Sequence, residues 1–256
     1  MHTLALVRAP SAAIVNCELT HLARVPIDVE RAQLQHARYA AVLTELGARS
    51  EWLPALPALA DGVFVEDTAV VLPEVAVLTR PGAESRQPEV ASVGEALAAH
   101  RPIRCIRPPA NLDGGDVLRV GQRILVGVSG RSNPAGVSQL REAVQEYGYE
   151  VSAIRVDGCL HLKSACTALS NDVVLANLDY IERAALGDVT VIAVDAEEPR
   201  AANTLTLGGV TLVSASYPRT EARLRAAGIR TRTIDVAELE KAESGLTCMS
   251  LIVEPT

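Results

Sequence analysis

No segment of this 256-residue chain is rich in lysine or arginine, no two of its five cysteines are spaced as a Cys-X-X-Cys pair, and no run of about eighteen apolar residues occurs. The first lack, together with a net charge of −7 and a pI near 5.3, excludes a nucleic-acid binder, because the phosphate backbone would be repelled. The second removes a zinc site and a disulfide framework, and the odd thiol count suits a reducing compartment. The third, with an N-terminus that has no basic start followed by a long apolar stretch, argues against a membrane partner and a secretory leader, so a soluble cytoplasmic protein is expected. With 48% of residues hydrophobic and 21% charged, the chain is able to bury a full core. The acidic balance is compatible with a small cationic substrate.

One order of elements recurs along the chain. Residues 3–8 read as a strand, a loop follows, and Asp28 opens a helix whose small and apolar positions Leu34, Ala37, Ala41, Val42 and Leu46 recur at helical spacing until Gly47. Residues 63–72 and 75–79 pair across Pro73-Glu74, before a helix marked by Val90, Val93 and Leu97 and a strand at 103–106. A hairpin from 116–120 and 124–128 precedes the clearest helix, capped by Asn133, opened by Pro134 and closed at Gly148. Residues 149–156 then form a strand. Residues 161–169 and 173–177 pair next, with a helix near 181–186 and a strand at 189–194. The last full unit pairs 203–207 with 210–214 across Gly208-Gly209 and adds a helix after Pro218 and a strand at 230–234. What remains is residues 3–53 at one end and the run 244–253 at the other, which together complete a fifth unit. Five strand-strand-helix-strand units about 45 residues apart predict radial repetition around a central axis, a five-bladed α/β-propeller formed by one domain over residues 1–256.

That arrangement gives meaning to the polar residues near the start of each unit's first strand: Glu66 and Asp67, Asp113 and Asp116, His161, Asn203, and Cys248 in the apolar run 244–253. In a radial array these starts converge on one pocket. A thiolate, an imidazole and several carboxylates suit nucleophilic attack on a cationic carbon, the carboxylates cradling a planar guanidinium whose charge helps ionise the thiol. His161 suits proton transfer in both directions, with Asp113 orienting its ring. Arg86 and Arg131 sit in equivalent loops of successive units, where two guanidinium forks are able to grip one carboxylate. Each residue alone has a plainer reading: Cys248 as a small core hydrophobe, His161 as a hydrogen-bonded structural histidine, the Asp113–Asp116 segment as a tight turn, and the arginines as solvated surface groups.

The segments Asp61-Gly-Val-Phe-Val-Glu-Asp67, Thr79-Arg-Pro-Gly-Ala-Glu-Ser-Arg86, Leu112-Asp-Gly-Gly-Asp-Val117, His161-Leu-Lys163 and Cys248-Met-Ser250 span nearly the whole chain. In that order they resemble the dimethylarginine dimethylaminohydrolases of the guanidino-modifying, or pentein, superfamily. The resemblance implies a five-bladed α/β-propeller that hydrolyses Nω-methylated arginine, a small-molecule substrate, to citrulline and a methylamine, with no cofactor and no metal. It implies Cys248 as the nucleophile forming a thiouronium intermediate, His161 as acid and base, and Asp113 as its carboxylate partner. Glu66 and Asp67 would line the guanidinium end, Arg86 and Arg131 hold the carboxylate, Asp61 hold the α-amino group, and Leu19 lie in a substrate-covering lid. A homodimer is compatible with this reading. Glu18 stands where the family has Gly, and Lys163 stands where arginine deiminases and amidinotransferases place a second guanidinium-binding Asp. An arginine deiminase-like hydrolase and a non-catalytic binding ring of the same architecture are the alternatives.

Overall fold

The computed structural model describes residues 3–255, in which fifteen strands form five three-stranded sheets of an α/β architecture. One unit contains β1 (Thr3–Val7), α1 (Val29–Glu45) and β2 (Ala48–Trp52). The next contains β3 (Ala69–Val71), β4 (Ala76–Leu78), α2 (Val90–Ala98) and β5 (Ile103–Cys105). It is followed by β6 (Val117–Val120), β7 (Arg123–Val128), α3 (Pro134–Val144) and β8 (Glu150–Arg155). A short helix α4 (Leu162–Ala165) leads into β9 (Cys166–Ala168), β10 (Val173–Ala176) and β11 (Thr190–Ala193). The last full unit is β12 (Leu205–Leu207), β13 (Val210–Ser214), α5 (Pro218–Ala226) and β14 (Thr231–Ile234), after which come α6 (Ala237–Glu240) and β15 (Leu251–Val253).

In every sheet the middle strand pairs antiparallel with one neighbour and parallel with the other. In four of the sheets the antiparallel partner is joined through a tight turn, and in all five the parallel one requires the crossover that a helix or helical turn supplies. β15 completes the first sheet by pairing antiparallel with β1, with Leu4 opposite Val253 and Leu6 opposite Leu251, so the two ends of the described chain share one sheet. The expected joining of residues 3–53 with the C-terminal run is therefore present.

Several elements are shorter than their sequence patterns. Residues 65–68 form a 3-10 turn before β3 because Glu66 and Asp67 are buried with polar partners that a regular strand would not bring to them. His161 caps α4 instead of starting a strand, and Arg183–Leu186 is a 3-10 turn in place of the expected helix. Cys248 lies in a turn ahead of β15, not within a strand.

Helix α1 begins and ends where its caps place it, with the Asp28 carboxylate accepting the Arg31 N–H at 3.0 Å and Gly47 at φ +99°. Its buried stripe is Ala32, His36, Tyr39, Ala40 and Leu43; the expected face fails at Leu34, which is 72% exposed, and at exposed Ala37 and Ala41. Counting only apolar residues hid the stripe, since His36 and Tyr39 carry polar atoms. Tyr39 packs with Leu246 and Met249 in the largest apolar cluster, so α1 backs directly onto the Cys248 turn. No helix among the described residues is long and apolar enough to cross a membrane.

Candidate active site

The Cys248 turn is held from three sides. Tyr39 donates its hydroxyl to the Leu246 carbonyl at 2.7 Å, and the same oxygen lies 2.7 Å from Ser250 Oγ, bracketing Cys248. Asn203 accepts the Thr247 N–H at 2.9 Å and donates to Thr247 Oγ1 at 3.0 Å. The Cys248 carbonyl accepts the Glu66 N–H at 3.1 Å, which ties the turn to the 3-10 segment carrying the acids. Gly245 must lack a side chain, since a Cβ there would lie 2.3 Å from Asn203 Cγ; its N–H points at Cys248 Sγ at 3.3 Å.

His161 is 4% exposed, with Nε2 3.0 Å from Asp113 Oδ2 and Nδ1 3.8 Å from Asp67 Oδ1. A Cβ on Gly115 would come within 2.6 Å of His161 Nδ1 and 2.7 Å of Asp67 Oδ1, so the glycine permits this approach. Asp113 is positioned by the Gly82 N–H at 2.8 Å, while its own N–H donates to Ser132 Oγ at 3.0 Å. Burial disfavours the imidazolium, but Asp67, the hydrogen bond to Asp113, and Asp116 outweigh it and carry the His161 pKa up to about 9. Asp67 is likewise opposed by burial, yet His161 and Arg86 hold its carboxyl at about 2. The Cys248 thiol is pushed far up, first by burial and then by the charges of Glu66 and Asp67, with the Gly245 N–H and Lys163 acting weakly the other way. In this state the sulfur is a thiol and the imidazole a cation.

One ligand atom from each of Asp67, Asp113 and His161 lies within 4.8 Å of the other two, so these three of the residues expected to converge do meet. The imidazolium itself supplies positive charge between the two carboxylates. Asp116, which the strand pattern placed among the converging acids, is fully buried; it fastens α4 by accepting the Leu162 N–H at 2.9 Å and takes the Ser129 hydroxyl at 2.6 Å.

Glu66 is engaged on both oxygens, by Lys163 Nζ at 2.7 Å and by the Thr247 hydroxyl at 2.6 Å. Lys163 also reaches the Gly114 carbonyl at 3.2 Å. Arg86 is 4% exposed and sits well below the loop rim expected for it. Its guanidinium pairs with Asp67, with Glu89 at 2.9 Å, and with the Phe64 carbonyl at 2.8 Å. Arg131 is half-buried, and its Nη2 reaches Thr20 Oγ1 at 3.3 Å. The two arginine loops do adjoin, as a Cβ on Gly82 would fall 2.4 Å from the Arg131 carbonyl oxygen.

Asp61 accepts the Glu18 N–H at 3.1 Å, and Leu19 packs on the same apolar cluster as Tyr39. The Glu18 side chain accepts the Ser85 hydroxyl at 2.7 Å, so the residue standing in place of glycine ties its segment to the loop that follows Gly82. Burial raises the Asp61 pKa against the pull of Arg86 and the Glu18 N–H. Two cavities flank the cluster. One of about 590 Å³ is bordered by Glu66, Lys163 and Thr247; the other, of about 230 Å³, is bordered by His21, Asn203, Glu243 and Gly245. Sequence reasoning missed Tyr39 and Glu243, of which only Tyr39 had a signal, its spacing with His36 and Leu43.

With this geometry in place, the relatives become informative. The N(G),N(G)-dimethylarginine dimethylaminohydrolase of Streptomyces coelicolor is 39% identical over 249 residues, covering 96% of this chain and 95% of its own length. The chain belongs to the dimethylarginine dimethylaminohydrolase family. The dimethylarginine dimethylaminohydrolase of Pseudomonas aeruginosa is 30% identical over 96% of this chain and 97% of its own. The structure of that enzyme's cysteine-to-serine mutant complexed with citrulline superposes with a TM-score of 0.93 at 30% identity, over 98% of this chain and 99% of the mutant's. The arginine deiminase family model matches residues 56–201. Four of the five segments named above, the one carrying His161 among them, fall inside that span, and Cys248-Met-Ser250 lies outside it.

Proposed function

We propose that this protein hydrolyses Nω-methylated L-arginine to L-citrulline and a methylamine, with Cys248, His161 and Asp113 as its catalytic residues. The observation that carries the reading is the buried His161–Asp113 pair, with Asp67 on the other ring nitrogen, in a chain whose Cys248 turn is tied to Glu66.

The steps follow from the charges. A free thiol surrounded by Glu66 and Asp67 keeps its proton; a guanidinium entering beside those acids offsets their field, and the thiol proton leaves to solvent. The thiolate sulfur forms a bond to the guanidinium carbon and one C=N electron pair moves onto nitrogen. The protonated His161 gives its proton to the methyl-bearing nitrogen, the C–N bond breaks, and the amine departs from a thiouronium. His161, now neutral, takes a proton from water as its oxygen attacks the same carbon. Collapse breaks the C–S bond and turns C–OH into C=O, the hydroxyl proton passing through solvent to the departed amine, so that citrulline is released and the thiolate returns. Asp113 keeps the ring oriented through both transfers, and Asp67 stabilises the cationic form.

Asp61, Leu19, Arg86 and Arg131 are the substrate-binding residues of this reading. Arg86 then acts with Asp67 and Glu89 already paired to it, while half-buried Arg131 meets the carboxylate directly. Glu66, held by Lys163 and Thr247, lines the guanidinium end. The reading also takes the five sheets as blades of one propeller domain. It is supported by β3 lying against β15, β6 against β9 and β9 against β12, and by the larger cavity, whose wall draws on all five of β3, β6, β9, β12 and β15. A cytoplasmic setting fits five cysteines that are all free.

The test is release of citrulline and of the amine from dimethyl-, monomethyl- and unmethylated arginine, beside Cys248→Ser. Methylated substrates are turned over and the variant is inactive. Activity retained in Cys248→Ser overturns the mechanism, and a strong preference for unmethylated arginine moves the assignment to the deiminase reaction.

A further inference from the structure

Glu243 stands outside the chemistry described so far, yet it joins residues 17–25, the covering segment of the proposed reading through Leu19, to the nucleophile's turn. Its carboxylate accepts three consecutive backbone N–H groups, those of Thr20 at 2.9 Å, of His21 and of Leu22. Successive amides converging on one anion form a nest, and bonds to an ionised acceptor are stronger than neutral ones. These three N–H groups have no other acceptor among the described hydrogen bonds, so without Glu243 the segment would return them to water.

Glu243 also has φ +55°, among the described residues the single non-glycine residue with positive φ. L-residues other than Asn and Asp seldom take this backbone, so a glutamate here needs interactions that over-determine it. From Glu243 the connection to Cys248 is short and stiff. Ser244 Oγ donates to the Leu239 carbonyl at 2.7 Å, and Gly245, packed against Asn203, aims its N–H at Cys248 Sγ. At its other side the covering segment is fixed by Asp61, by Ser85 through Glu18, and by Arg131 through Thr20.

We propose that Glu243 is the latch of this covering segment and thereby a positioning residue for Cys248. When the segment seats, its amides close on the carboxylate and fix the backbone that presents the Gly245 N–H to the sulfur. When it lifts, that restraint is released. The proposal rests on the hydrolase reading for its kinetic consequence, but the latch itself is physical and is read without substrate.

The experiment compares Glu243→Ala, Glu243→Gly and Glu243→Gln by amide hydrogen exchange of residues 18–22, by the rate of Cys248 alkylation with iodoacetamide, and by steady-state kinetics with dimethylarginine. Glycine relieves the backbone while deleting the acceptor, and glutamine keeps an acceptor oxygen without the charge. Exchange at Thr20, His21 and Leu22 is expected to accelerate at least tenfold in the alanine and glycine variants, with KM raised more than kcat is lowered and Cys248 alkylated faster. Glutamine restores part of each effect. Wild-type exchange and wild-type KM in the glycine variant overturn the proposal, and that variant decides it should alanine fold poorly. Accelerated exchange in a protein whose wild type releases no citrulline would sink the hydrolase reading and leave the latch standing.

Discussion

His161 Nε2 lies 3.0 Å from Asp113 Oδ2, and this contact fixes which ring nitrogen is committed to a carboxylate and which one faces Asp67. Removing the charge while keeping the shape, in Asp113→Asn, leaves the ring less well oriented and its cation less stable. An expected loss of about 10²- to 10⁴-fold in kcat follows from the weight of an oriented acid–base group. The alkaline limb of the kcat profile is expected to move to lower pH, because, beside the field of Asp67, the hydrogen bond that the imidazolium donates to Asp113 helps raise its pKa. Steady-state rates across pH 6–10 read both effects (the range is about that spanned by a raised histidine).

The same imidazole makes stability depend on alkali. His161 is raised to about 9, so the folded state binds its proton more tightly than the unfolded chain, where the value is near 6.5. Its contribution is fully present below pH ~6.5 and is lost as pH rises through about 9. Urea midpoints measured on His161→Gln are expected to lack this decline.

His36 behaves in the opposite sense. It is fully buried on α1, neither ring nitrogen has a hydrogen-bond partner, and burial lowers its pKa to about 4. The unfolded chain therefore binds the proton first on acidification. Stability is full above pH ~6.5 and falls by about 3 kcal/mol as pH drops toward 4. In His36→Leu that acid loss is expected to shrink, whereas the loss tied to Asp67, held at about 2, falls in a lower window and remains.

Tyr39→Phe deletes one hydroxyl that bridges both flanks of the Cys248 turn. Leaving the buried Leu246 carbonyl and Ser250 hydroxyl without it is expected to cost about 1–3 kcal/mol of stability. Because the turn also carries the nucleophile, kcat is expected to fall more than KM changes. A wild-type kcat in a destabilised variant would confine Tyr39 to the core.

Cys248 alkylation reads its charge state. Burial and the fields of Glu66 and Asp67 hold the thiol protonated, so iodoacetamide is expected to react slowly with the free protein at pH 7. A small amidinium bound beside the acids, without filling the path to sulfur, is expected to speed the reaction. Unchanged rates across amidinium concentrations would contradict the assisted ionisation.

Much of this was legible in the residues, for identifiable reasons. Asp28, Gly47, Asn133, Pro134 and Gly148 set helix ends through local chemistry, and the five-unit order followed from turn and apolar patterns that depend on near neighbours. The face of α1 is not legible from apolar residues because its buried stripe uses His36 and Tyr39, and the hydroxyl of Tyr39 finds its partner 207 residues away. Arg86 stands in a 3-10 turn over Glu84–Glu89 and not in the open loop expected, and its depth depends on Asp67 and Glu89 gathering around it. Glu243 sits in a polar stretch typical of solvent, and only the folded positions of Thr20, His21 and Leu22 distinguish it.

The pairing of β15 with β1 has a consequence for biosynthesis. β1 is made first and β15 last, so during translation the Leu4–Leu6 side of β1 has an unsatisfied edge while the rest of the protein emerges. A nascent chain stalled before Leu251 would expose that edge to neighbouring polysomes, and a C-terminal nick would reopen it.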